Sequence, residues 1–304
     1  MTTRNLWIGF LAVMTISFAV LLYYGREIYR QAPPVPDKVI TTESVTLFTG
    51  QDIRDGQNVW QSMGGQEVGT VWGHGAYQAP DWSADWLHRE AVYMLNQMAL
   101  QNYNLPWDAL KTDTQASLKV LLQDELRKNS FDPTTGTLTV SPLRAEAIAS
   151  NSEYYSSLFT DDPQFAGLRD AYAIAENSLR DPERVRLLNA FFFWTSWSCV
   201  TQRPGQDITY TNNWPAEELV GNRPTGSLLL WTGFSVIVLI AGIGLMGWFY
   251  ARQRDSAPEL VPASFPLTHK AQTPSQIATV KYFWIVSLLL LVQVAMGIIT
   301  AHYS

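Results

Sequence analysis

The sequence predicts a mainly α fold, with three transmembrane helices and a mostly helical polar domain. Three observations carry that prediction. Three stretches are almost free of charge, and each is close to the roughly 20 apolar residues that crossing a bilayer core requires. The long segment between the first two is polar and acidic, so the apolar residues are segregated rather than mixed. Within that segment the apolar positions recur mostly at helical spacing, with one strand-like interruption. The mean hydropathy of −0.04 suggests a soluble protein only because it averages these unlike parts.

The apolar runs divide the chain. Residues 1–5 form a cytoplasmic N-terminus, 6–24 (LWIGFLAVMTISFAVLLYY) a first span, and 25–227 an outer domain. Residues 228–250 form a second span, 251–281 a cytoplasmic loop, and 282–301 a third span. Each span carries aromatic residues near an end, where interfacial anchors belong. A buried core helix is the other meaning of such a run, but three of them flanking a polar middle favour a membrane. The first run is too long for a signal-peptide core, and YYGREIYR offers no small residues for cleavage, so it is read as an uncleaved anchor.

Charge sets the expected orientation. Residues 31–224 hold 24 acidic and 14 basic residues, a balance of −10. The 251–281 loop holds Arg252, Arg254, Lys270 and Lys281 against Asp255 and Glu259, and Arg4 precedes the first span. Lys and Arg accumulate on the cytoplasmic side, which places the acidic domain outside, in the periplasm of a bacterial inner membrane. Arg26 and Arg30, just past the first run, work against this. An acidic surface has the wrong sign for phosphate backbones, so no nucleic-acid partner is expected. Cys199 is the only cysteine, which excludes an intrachain disulfide and multi-cysteine zinc or iron–sulfur sites. Within FFFWTSWSCV it reads as a small buried thiol.

Along the outer domain, residues 31–50 form a Pro-rich lead. Asp52 is the expected cap of a helix through IRDGQNVWQSM, and Ser83 that of a helix through ADWLHREAVYMLNQMALQNY. A helix is expected over 107–128, its apolar positions being Ala109, Leu110, Leu118, Leu121 and Leu122. FDPTTGTLTV reads as a short hairpin, with Pro133 and Gly136 as turn residues. Ser141-Pro142 opens the next helix, AGLRDAYAIAENSLRD continues as helix, and PERVRLLNAFFFWTSWS is a strongly aromatic one. TQRPGQDITYTNNWPAEELVGNRPTG is a turn-rich loop expected to lie over the membrane surface.

Candidate chemistry is sparse. His74, His88, His269 and His302 are scattered, with no metal-binding helix spacing, phosphate loop or nucleophile elbow. No span carries a histidine or charge in its central part, as haem b or non-haem iron would need. The stretch 64–82, GGQEVGTVWGHGAYQAPDW, has the glycines and aromatics of a haem wrap but lacks the C-x-x-C-H of a covalent haem. His302, in TAHYS at the end of the third span, reads from its chemistry alone as an interfacial histidine, with a contact to a polar head group or quinone ring as the alternative.

GQNVWQSMGGQEVGTVWGHGAYQAPDWSADWLHREA, FDPTTGTLTVS, FFFWTSW and RPGQDITYTNNWPAEELVGNRPTG together resemble the outer domain of quinol-dependent nitric oxide reductases. KYFWIVSLLLLVQVAMGIITAHYS is similar to that family's next span. The resemblance implies a cytochrome c-like fold that has lost its haem. Residues 73–80, GHGAYQAP, match the sequence that follows C-x-x-C-H in the cytochrome-linked relatives, and the lost motif falls on Gly65, Gln66, Glu67, Val68 and Gly69.

It implies further a reaction that couples two nitric oxide molecules with two electrons and two protons to give nitrous oxide and water. Haem b, haem b3 and non-haem iron are implied in a C-terminal catalytic helix bundle beyond this sequence, with none bound by this chain alone and no catalytic residue in it. Quinol is the implied electron donor and membrane lipid the surroundings. Gly75 and Tyr77 match positions that give oxygens to a calcium ion, beside the alternative of a turn glycine and a packed tyrosine. His302 matches the first residue of a quinol-binding H-x-x-x-E-x-x-x-F pattern. The chain is thus expected to supply the haem-free cap, anchor helices and one edge of the quinol site. Another expectation is a separate non-catalytic subunit or assembly partner of a haem-bearing oxidoreductase. A periplasmic sensor would need an output module that the 251–281 loop is too short to provide.

Overall fold

The structure, a computed structural model, describes residues 3–255 and 274–303. Its chain divides into two units, Met1–Asn222 and Arg223–Ser304. Among the described residues three helices are long and apolar enough to cross a membrane, over Trp7–Gln31, Gly226–Phe249 and Tyr282–Ile299. They are α1 (Thr3–Gln31), α8 (Gly226–Asp255) and α9 (Pro274–Tyr303). Each outruns its apolar core, because residues such as Arg26, Glu27 and Arg30 are good helix formers that extend it into the polar zone. Much of the 251–281 loop, with Lys270 and Glu259, lies outside the described residues.

The first unit carries a helical domain with a small sheet. Its helices are α2 (Gly50–Ser62), α3 (Trp82–Tyr103), α4 (Thr112–Arg127), α5 (Pro142–Phe159), α6 (Ala166–Tyr172) and α7 (Pro182–Val200). Four strands, β1 (Lys38–Thr41), β2 (Thr46–Thr49), β3 (Phe131–Asp132) and β4 (Thr137–Val140), pair in the order β2-β1-β4-β3. The hairpin expected at FDPTTGTLTV is β3–β4. The Pro-rich lead holds more order than expected. Val39 pairs antiparallel with Phe48, and β1 runs parallel to β4, about 100 residues away.

Local signals explain the helix ends and correct several expectations. Thr49, not Asp52, caps α2, while Asp52 returns the bond to the Thr49 amide, completing a capping box. Asp81, not Ser83, caps α3, its carboxylate accepting from the Ala84 amide. The helix expected over 107–128 is interrupted. A 3₁₀ turn at Trp107–Ala109 precedes α4, because Asn96 Oδ1 accepts from the Trp107 amide and Gln115 Nε2 donates to its carbonyl. On α4, Leu118 and Leu122 are buried, but Leu121 is exposed. Ser141 and Asp181 cap α5 and α7, each with a proline directly after. The helix after residue 166 is short, since Ala173 takes a left-handed conformation that closes α6. The buried Arg169 side chain then ties it to the carbonyls of Ser157 and Asp162.

The core is aromatic. Trp82, Trp86, Tyr155, Phe159, Phe192 and Phe193 are fully buried where α3, α5 and α7 meet. Burying each such side chain stabilises by roughly 1.5–3 kcal/mol. Trp86 stacks on Tyr155 with ring planes 2° apart, and Trp82 stacks on Phe192. Gly56 brings α2 close to α7: a side chain there would overlap the Leu187 carbonyl oxygen and stand 2.8 Å from Phe191 Cβ. A second cluster, with Leu95, Leu122, Leu126 and Val220, joins the far half of α3 to α4. Cys199 is fully buried in it, as expected.

Candidate functional site

The glycine-rich stretch 64–82 connects α2 to α3 and is fastened at several points. Gly64, Gly65 and Gly69 have φ of 116°, 57° and 130°, so the chain turns sharply on either side of a 3₁₀ turn at Gly65–Val68. The Trp60 indole donates to the Gly69 carbonyl at 3.2 Å. A side chain at Gly69 would overlap Nε1 and Cε2 of Trp82.

Asp81 is the hub. Its carboxylate accepts from Thr70 Oγ1 at 2.7 Å, the Gly73 amide at 2.6 Å, the Ala84 amide at 3.0 Å and the Ser83 hydroxyl. Thr70 Oγ1 in turn accepts from the Gly75 amide at 2.8 Å. An almost fully buried carboxylate is satisfied this way by four donors drawn from the loop and the start of α3. Two tryptophans fix the outer side. Trp72 Nε1 donates to the Thr195 carbonyl on α7, and Trp214 Nε1 to the Gly73 carbonyl, both at 2.9 Å. His74 meets the Trp214 ring edge to face at 4.5 Å.

Sequence reading found the wrap but missed Asp81, Thr70 and Trp214. An aspartate immediately before WSADW was the available signal for Asp81, whereas Trp214 reaches the loop from 141 residues away.

These residues do not fit a thioether-bound haem. Positions 65–69 offer no thiol and no imidazole. Cys199 sits fully buried on α7, where burial pushes its thiol far up and the Ser83 and Thr211 hydroxyls lie beside it. The indole of Trp82 fills the space against the loop, and the aromatic core continues behind it. No reaction step is drawn through a haem in this domain.

The other predicted residues are placed as follows. Gly75 has a φ of 86° and sits in a turn closed by the bond from the Ala76 amide to the Ala79 carbonyl. Tyr77 at its tip is fully exposed. Among the described residues no group of three or more His, Cys, Asp or Glu side chains converges as for a metal. His302 falls in the last turn of α9, and its side chain lies outside the described residues. The loop after α7 packs on the domain. Its Asn222 side chain donates to the carbonyls of Cys199 and Pro215, and its Glu217 pairs with His88 on α3 at 2.8 Å.

A glycine-rich wrap without haem ligands, on a small helical domain tethered by an apolar helix, defines a membrane-anchored cytochrome c-like protein. Residues 36–216 match the NorB cytochrome c-like domain family of nitric oxide reductases. The chain belongs to that family. Comparison with curated proteins finds no match.

Proposed function

We propose that this chain is the haem-free cap and anchor portion of a nitric oxide reductase that takes its electrons from quinol. The observation that carries the reading is the replacement of haem ligands by packing. The wrap at 65–69 has no thiol or imidazole, and Trp82 closes against Gly69. A domain built this way cannot relay electrons from a soluble cytochrome through its own haem, whereas quinol delivers them from within the bilayer. His302, in the last turn of the third apolar helix, would contact the quinol and accept a proton as it is oxidised. Gly75 and Tyr77, at a tip with a fully exposed tyrosine, would lend oxygens to calcium together with ligands from a catalytic helix bundle. The acidic domain would face the periplasm of a bacterial inner membrane, by the distribution of Lys and Arg.

The test is anaerobic nitric oxide consumption by membranes carrying the full-length protein. Reduced quinol should support it, and reduced soluble cytochrome c should not. Equal rates with cytochrome c would overturn the reading. His302→Ala should raise the quinol KM or slow quinol-driven turnover while sparing an artificial donor that bypasses the site. Equal loss with both donors would remove His302 from the quinol site.

A further inference from the structure

The loop that follows α7 holds two guanidinium groups that hydrogen-bond to no carboxylate. Arg203 is only 9% exposed. Its Nη1 donates to Gln31 Oε1 at 2.6 Å, and its Nη2 to the Tyr210 carbonyl at 2.7 Å and to Asn212 Oδ1 at 3.3 Å. Its buried Nε has no acceptor. Arg127, at the end of α4, donates to Asn222 Oδ1 at 3.0 Å and Asn213 Oδ1 at 3.4 Å. Every one of these acceptors is neutral, and among the described residues neither arginine makes an ion pair. Burial works against both charges and pulls both pKa values down, with Asp207 opposing it at Arg127 and Tyr210 at Arg203. Removing an arginine from water without a paired counter-charge is costly, and Arg203, held by neutral acceptors alone, is the group left uncompensated.

Beside them lies a depression of about 370 Å³, lined by Lys128, Asn129, Gln202, Arg203 and the turn at 204–207. Lys128 is exposed, and no atom lies within 4 Å of where a side chain on Gly205 would begin. One acid, Asp207, stands in the lining, with its Oδ1 taken by the Gln202 amide at 2.7 Å. With Lys128 and Arg203 against Asp207, positive charge remains in excess in the lining.

The position says where an anion would come from. Gln31, bonded to Arg203, is the last residue of α1, past the apolar run that ends at Tyr24, so the depression lies by the polar, head-group end of that helix. We propose that it binds the phosphate of an anionic phospholipid, with Arg203 and Lys128 as the charged donors. A phosphodiester supplies the missing negative charge and accepts several charge-assisted bonds at once. Excess positive charge at a membrane surface favours a lipid with net negative charge over a zwitterionic one. The bound head group would fasten the turn at 204–207 to the membrane beside α1. The inference rests on the membrane reading of α1 and is independent of the electron donor.

The test is calorimetric titration of the full chain, purified in an uncharged detergent, with three probes: short-chain phosphatidylglycerol, short-chain phosphatidylcholine and inorganic phosphate. Phosphatidylglycerol should bind saturably, and the other two about tenfold more weakly or less. Lys128→Gln should weaken phosphatidylglycerol binding about tenfold, the worth of one charge-assisted bond, and Arg203→Gln should remove it. Arg203 also holds Gln31 and Asn212, so Lys128→Gln, which changes an exposed side chain, is the deciding variant. Unchanged binding in Lys128→Gln, or equal binding of phosphatidylcholine, overturns the proposal. Equal binding of inorganic phosphate assigns the site to a free anion and overturns it as a lipid site.

Discussion

The indole of Trp82 lies flush against the α-carbon of Gly69, so the glycine-rich loop wraps a side chain. Trp82 is 1% exposed and stacks on Phe192, and its backbone amide donates to the Thr70 carbonyl at 2.8 Å. The same residue thus starts α3, fills the centre of the domain and seats the loop.

Two substitutions test that relationship. Gly69→Ala would introduce a side chain where φ is 130° and the Trp82 ring already stands. Overpacking costs roughly 1–3 kcal/mol, and the unfavourable backbone adds to it. Trp82→Ala should cost about 3–5 kcal/mol, the usual toll for emptying a large aromatic site. Denaturant midpoints of the purified full chain in detergent measure both. A Gly69→Ala protein as stable as the wild type would show that the ring gives way easily.

Much of this architecture could be read from the sequence, and its limits are physical. The spans, the β3–β4 hairpin and the Ser141-Pro142 start depend on neighbours within a few residues, and local composition carries them. The β1–β4 pairing depends on residues about 100 positions apart, so a Pro-rich lead gave no sign of it. Arg203 was legible only as a basic residue in a loop, because its significance comes from Gln31, 172 residues earlier. Asp52 and Ser83 were one step from the truth. Both join the capping hydrogen bonds, but the residue with extended backbone at the junction is Thr49 in one case and Asp81 in the other.

The ion pair between Glu90 on α3 and Arg144 on α5 belongs to the illegible part. Arg144 Nε donates to Glu90 Oε1 at 2.7 Å, with side chains 3% and 0% exposed, and the guanidinium lies over the Phe193 ring. Glu90 Oε2 and Arg144 Nη2 have no partner. Removing one member strands a buried charge, so Glu90→Leu alone should cost about 3–5 kcal/mol. Glu90→Leu with Arg144→Met should recover much of that loss, because no charge then remains buried. A double-mutant cycle by chemical denaturation reads this directly, and additive losses would contradict it.

Acid should loosen the start of α2. The bond from Arg186 holds the Asp52 carboxyl down at about 2, against its ordinary 3.8, with the Thr49 amide helping and burial opposing. A carboxyl depressed in the folded state contributes stability above its unfolded pKa and loses it as pH falls through the folded one. The wild type should therefore lose stability between about pH 4 and pH 2 more steeply than Asp52→Asn. Parallel thermal melts across that range settle the matter, and matching slopes would remove Asp52 from the acid response.

The opposite sign is expected where the loop after α7 meets α3. The bond to Glu217 raises the His88 pKa above 6.5, against the pull of burial. Burial pushes Glu217 up, but His88 and the Leu219 amide outweigh it and leave its pKa lowered. A histidine raised in the folded state contributes fully below pH 6.5, and that contribution is lost as pH climbs through the folded value. His88 is 58% exposed, so the effect on global stability stays within the ~1 kcal/mol of a surface pair. The local effect is easier to see. Glu217 and Asn222 exchange two backbone hydrogen bonds, and that bridge should open more often once His88 is neutral. After correction for the intrinsic rate, hydrogen exchange of the Glu217 and Asn222 amides should rise above pH 6.5 in the wild type and stay flat in Glu217→Gln. A flat profile in both proteins would mean that the Asn222 contacts alone hold the loop.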